Sequence, residues 1–169
     1  IFAAFVQGAW NQDAGEFRYF MGFGRNWLEA TGSEDSCGRT IWALGATAHE
    51  AQIPALRQWA RWLFDRSAGS SAGFGSPRAI AFSMLGADYM LASDPAHAQA
   101  SAMLTDGAER LLSLFRAVRR ADWPWFETGL AYDNCRLPEA MIRAGLRLDR
   151  ADFVAAGIEA MEWIMTLQT

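Results

Sequence analysis

From residue 33 onward, apolar positions recur every three or four residues, and the breaks between runs carry helix-start residues. Ser33-Glu34-Asp35 places a capping hydroxyl and two acids ahead of Ile41, Leu44, Ala48 and Ala51. Pro54 suits the first turn of a second helix, which carries Leu56, Trp59, Trp62 and Leu63. After the flexible run Gly69-Ser70-Ser71-Ala72-Gly73, Ser76-Pro77 opens a third helix through Ile80, Met84, Leu85 and Met90. Asp94-Pro95 is expected to open a fourth, with Met103, Leu104, Leu111, Leu112, Phe115 and Val118. Beyond the loop ADWPWFETGLAYDN, Pro138 lies in the first turn of a fifth helix expected to stop near Gly145. Asp149 is expected to start the sixth, with Phe153, Ile158, Met161, Ile164 and Met165. The first thirty residues show no sustained helical period and predict an irregular segment or a short hairpin.

The pattern predicts an all-α fold of stacked helical hairpins at about 34–67, 77–119 and 136–168. They form one domain over 1–169, with 1–32 as an aromatic, Gly-rich lead-in. Arg39-Thr-Ile-Trp-Ala-Leu-Gly45, Arg78…Met84-Leu-Gly86 and Arg136…Met141-Ile-Arg-Ala-Gly145 share an arginine, an apolar run and a closing glycine. Such repeats bury their apolar faces by stacking into a ring or solenoid. The first helix of each pair is apolar and rich in Gly and Ala, as an inner layer requires, and the second is more charged. Parallel stacking then brings Ser33-Glu34-Asp35, Phe74 to Arg78 and Trp123 to Arg136 to one rim.

Composition narrows the chemistry. With 169 residues, 51% apolar and 20% charged, the chain has enough apolar content for a core, which excludes disorder. No apolar run is long enough to span a bilayer, and a net charge of −4 disfavours nucleic acid or an anionic membrane as main partner. All 15 basic residues are arginine, so Schiff-base and phosphate-loop lysine chemistry is excluded for this chain. Two cysteines do not make a disulfide framework. The opening IFAAFVQGAW lacks the pattern of a secretion signal, so the expected location is cytoplasmic, and the missing initial Met suggests a fragment or processed product.

The rim carries the candidate chemistry. Trp123, Trp125 and Tyr132 would stack on sugar faces, while Glu34 and Asn134 accept and donate to hydroxyls. If the site is catalytic, Glu127 would be the proton donor and Asp35 or Asp133 the base. Their separation would then separate retention (roughly 5 Å) from inversion (roughly 6.5–9.5 Å). The competing reading makes Glu34 and Asp35 helix-start acids and the WPWF segment a core plug. Arg39 and Arg136 would either hold a substrate anion or brace the rim by pairing with Glu34, Asp35, Glu127 or Asp133. Cys37 and Cys135 would approach each other if their helices were neighbours. His49 and His97 lack metal-ligand spacing, so neither a metal nor a cofactor is expected. Trp59 with Trp62 and Met161 with Met165 are expected core pairs.

The segments SEDSCGRTIWALG and WPWFETGLAYDNCRLPEAMIRAG, with GEFRYFMGFGRNW before them, resemble an (α/α)-toroid domain of bacteria and archaea. That domain is found appended to glycosyltransferases or encoded beside them. The likeness covers about 15–168 and departs from the family pattern at Cys37 and Cys135, where His and Ala are usual. It implies a partial or complete toroid like that of six-hairpin glycosidases, and an oligosaccharide partner, but no established catalytic set. Three hairpins make about half such a ring, which leaves a glycosyltransferase, a second copy or further chain to cover the edges. The expectations are a glycoside hydrolase, a non-catalytic glycan-binding or glycosyltransferase-associated module, or a structural helical repeat that binds protein.

Overall fold

The computed structural model describes residues 2–167, so Ile1 and the predicted end of the third hairpin at residue 168 lie outside it. The fold is all-α. Six helices pair as α2 (Glu34–Glu50) with α3 (Pro54–Ser67), α4 (Pro77–Ser93) with α5 (Ala98–Val118), and α6 (Arg136–Leu148) with α7 (Ala151–Thr166). The helix starts follow local chemistry. Ser33 Oγ accepts the Ser36 N–H at 3.2 Å and Ser76 Oγ accepts the Ala79 N–H at 3.4 Å, each replacing a bond the first turn lacks. Pro54 and Pro77 occupy first-turn positions.

Three boundaries and one added helix differ from the sequence expectation. Asp94 closes α4 instead of opening α5, whose cap is the His97 ring nitrogen accepting from Ala100 N–H at 3.2 Å. Gly145 lies inside α6, and Asp149 ends that helix in the left-handed region at φ 54°, which a short polar residue tolerates. The lead-in contains the short helix α1 (Phe2–Ala9). The strand pair β1 (Trp10–Asn11) and β2 (Glu16–Phe17) follows it, antiparallel, with Trp10 opposite Phe17.

Helix α4 is central, packed on α2, α5 and α6, and 13 of its residues, from Arg78 to Leu91, are buried. Gly38 faces Ala79 and Gly45 faces Gly86, so α2 and α4 run parallel and nearly touch. A Cβ on Gly38 would lie 2.7 Å from the Ala79 carbonyl oxygen, and one on Gly86 2.6 Å from that of Ile41. Rows of missing side chains allow this approach. On the other side of α4, Arg78 reaches Asn134 just ahead of α6, while Asp88 meets Arg143 and Arg147 farther along it. Helix α6 therefore also runs parallel, and the starts of α2, α4 and α6 share one end. The same glycine device joins α6 to α7, where Gly157 faces the Pro138 carbonyl.

Two expected core pairs divide between core and surface. Trp59 packs against the core, but Trp62 is exposed with the Arg66 guanidinium 4.0 Å above its ring. Met161 packs inward and Met165 faces solvent. Among the described residues, no helix is long and apolar enough to cross a membrane.

Candidate functional site

The shared helix end gathers the predicted rim. Glu34 Oε2 accepts the Gly75 and Ser76 backbone N–H groups at 2.9 and 2.7 Å, joining the start of α2 to the start of α4. There a carboxylate meets both free N–H groups and the positive end of the helix. Asp35 accepts from Arg39 Nε at 2.9 Å, and Arg39 Nη2 reaches Asp133 Oδ2 at 2.5 Å. One guanidinium thus bridges both candidate bases. Partial burial works against the charge on Arg39, but its bonds to Asp133 and Asp35 outweigh that and raise its pKa.

The loop between α5 and α6 is held by Arg78, which is 4% exposed. Its fork donates to the Tyr132 carbonyl, to Glu127 Oε2 at 2.6 Å and to Asn134 Oδ1 at 2.8 Å. Asp133, in the left-handed region at φ 50°, turns the chain between the Tyr132 and Asn134 contacts. Tyr132 is 51% exposed, and its hydroxyl donates to Asp35 Oδ1 at 2.7 Å. Its ring lies 5.0 Å from the Arg78 guanidinium carbon and 5.8 Å from that of Arg39. Burial, then the bond to Asp35, pushes the Tyr132 hydroxyl above the ordinary tyrosine pKa, so it stays a donor at neutral pH.

The polar surface continues down the face shared by α2, α4 and α6. Trp42 stacks on Phe82 at 5.8 Å with the planes 5° apart, and Arg39 lies 4.2 Å over the same Phe82 ring. Arg136 lies 4.7 Å over Trp42 and donates to Glu139 at 2.6 Å. Glu139 also meets Arg143 at 3.4 Å, and Arg143 and Arg147 converge on Asp88, each with a bond of 2.7 Å. The Asp88 side chain is 6% exposed.

Several predicted residues have surroundings that the sequence does not show. Trp125 is fully buried and packs against Phe126 and Trp163, so it fills core and offers no face to a sugar. Its indole N–H has no partner, which costs about 1–3 kcal/mol and marks a residue placed for packing. Trp123 is half-buried against Trp163, with its N–H donating to the Glu127 carbonyl at 2.7 Å. Glu127 is the counter-ion of the buried Arg78. Arg136 pairs with Glu139, outside the four partners expected for it. Arg78, Trp42, Asp88, Glu139, Arg143 and Arg147 complete the network and were not candidates. Arg78 is the middle arginine of the sequence repeat, and Arg136, Glu139, Arg143 and Arg147 follow helical spacing; those were the available signals.

The thiols do not meet. Helix α4 separates α2 from α6; Cys37 is buried with Sγ 3.8 Å from the Phe17 carbonyl, and Cys135 is exposed. Burial pushes the Cys37 thiol up. A disulfide-exchange reagent should therefore titrate one thiol quickly in the native protein and the second only on unfolding. Equal rates for both would contradict this placement. Among the described residues no group of three His, Cys, Asp or Glu side chains could hold a metal ion. Arg39 also borders a groove of about 250 Å³ between α1, Tyr19 and α2, lined in part by Phe5, Ser36 and Thr40. Compared with protein-family models, curated proteins and solved structures, the chain gives no match.

Proposed function

We propose that this chain is a glycan-holding module, built as part of an (α/α) toroid, that seats an oligosaccharide on the rim over Tyr132 without cleaving it. The observation that carries the reading is the state of Tyr132. A half-exposed ring is fixed at its hydroxyl by Asp35 and at its carbonyl by Arg78, and both arginines near it are themselves paired. A ring immobilised before binding loses little freedom when a sugar stacks on it. Hydroxyls of that sugar would meet the Arg39–Asp133 pair and, farther along, Arg136 on Trp42.

Holding is favoured over hydrolysis because each candidate catalytic carboxylate is occupied. Asp35 and Asp133 share Arg39, and Glu127 serves Arg78. A general acid and a base need a proton to give and a lone pair to use at the scissile bond. Association with a glycosyltransferase, which the resemblance implies, fits a module that presents saccharide rather than consumes it.

Tryptophan fluorescence titration against a panel of oligosaccharides, with mass spectrometry of the same samples, tests the reading. The expected result is saturable binding with every saccharide recovered intact. Tyr132→Ala should weaken binding at least about tenfold, which corresponds to ~1.4 kcal/mol. Tyr132→Phe, which keeps the ring and loses the Asp35 anchor, should cost less, about 0.5–1.5 kcal/mol. Cleavage that Glu127→Gln abolishes would restore the hydrolase. Silence across the whole panel would leave a protein-binding repeat.

A further inference from the structure

We infer that the saccharide taken by this face is electrically neutral, an inference that rests on the glycan-holding reading. The rim and the face below it carry five arginines and five carboxylates, all joined in pairs or shared pairs. Their formal charges cancel. Glu34 is a further acid, but it is held by two N–H groups at the start of α4, where the helix end offsets it.

A uronate, sulfate or phosphate group needs a cation whose counter-ion it can replace. Here replacement means taking Asp133 or Asp35 from Arg39, Glu139 from both Arg136 and Arg143, or the nearly buried Asp88 from both Arg143 and Arg147. The displaced carboxylate would stay beside the incoming anion. A like-charge contact of that kind disfavours a partner more strongly than one exposed ion pair favours it. A cationic sugar meets the mirror problem. A hydroxyl displaces nothing: a guanidinium has five N–H donors and a carboxylate about four acceptor positions, so a pair closed by one or two bonds still serves both ends of a hydroxyl.

The test titrates the whole chain with neutral manno-, gluco- and galacto-hexasaccharides and with an oligogalacturonate of equal length, at low and high sodium chloride. At least one neutral hexasaccharide should bind, with Kd changing less than about twofold between ~0.02 and ~0.3 M salt. The oligogalacturonate should bind at least about tenfold more weakly. An oligogalacturonate that binds as tightly, with affinity falling steeply as salt rises, overturns the neutral assignment and leaves the glycan-holding reading standing. Binding by neither class overturns both. Glu139→Gln removes one carboxylate while keeping its shape. It should raise the oligogalacturonate-to-neutral affinity ratio about fivefold or more at low salt, an effect that fades at high salt. An unchanged ratio would mean that the paired carboxylates do not exclude acids, and would overturn the inference.

Discussion

Gly45→Ala is expected to lower stability by about 3 kcal/mol or more, at or beyond the upper end for overpacking a core. The reason is geometric. The added Cβ would fall far inside van der Waals contact with the Gly86 carbonyl oxygen, a backbone atom of α4 that cannot rotate away. Relief requires α2 and α4 to separate, which loosens contacts from Gly38–Ala79 along the shared face. For a chain of this size the loss should appear as a fall in Tm of about 6–12 °C. Gly8→Ala is the control, because that glycine lies in α1 with nothing within 4 Å of its added Cβ. It should be neutral or stabilising by up to ~1 kcal/mol, the gain of alanine over glycine in a helix. Denaturant melts of both variants decide the matter. If Gly45→Ala melts like the parent, α2 and α4 do not pack on these glycines.

The same glycines show what could be read without coordinates and what could not. The recurring Arg…Gly segments marked the inner helices, since the closing glycines of the first two repeats are the points where α2 and α4 touch. Gly145, the third, packs against Val154 and the Arg150 carbonyl across the α6–α7 pair, a close approach that a sequence does not distinguish from a helix-ending glycine. Asp94 and Asp149 are ambiguous in sequence for a related reason: a short acid beside a helix can cap the next one or terminate the last. Helix α1 has no clear signal in the sequence because its eight residues are too short a run to show a sustained helical period.

The site was legible as a place and less so as an arrangement. Capping residues and parallel stacking located the rim, and Arg39 took two of its expected partners, Asp35 and Asp133. Which aromatic of the loop faces outward was not readable. Trp125 and Tyr132 lie in the same loop, yet one plugs the space beside Phe126 and Trp163 and the other lies over two guanidinium groups. The pairing of Arg78 with Glu127 was equally hidden, because it spans 49 positions and depends on α4 lying beside the loop.

Arg78 is where fold and site meet, and its removal is the second large effect expected. Arg78→Met keeps much of the side-chain bulk but leaves Glu127 without its buried partner and the Tyr132 carbonyl without its donor, and leaves Asn134 Oδ1 with the Ala131 N–H alone. Breaking one side of a buried pair costs about 3–5 kcal/mol. Much of that cost is the abandoned carboxylate, which is 25% exposed, and not the lost attraction. The double variant Arg78→Met with Glu127→Gln should therefore recover part of the loss, although it removes more polar groups than the single one. Saccharide binding should not return with it, because the Tyr132 carbonyl still lacks its anchor. Arg78→Lys should fall between parent and Arg78→Met in stability: it keeps the charge and loses the fork that serves three acceptors at once. Hydrogen exchange should place the damage locally, with protection lost over 123–135 while the α2–α4 core stays protected. If single and double variants are equally unstable, the stranded carboxylate is not the source of the cost. Recovery of stability without recovery of binding would separate the two duties of this arginine, charge partner to Glu127 and positioner of Tyr132.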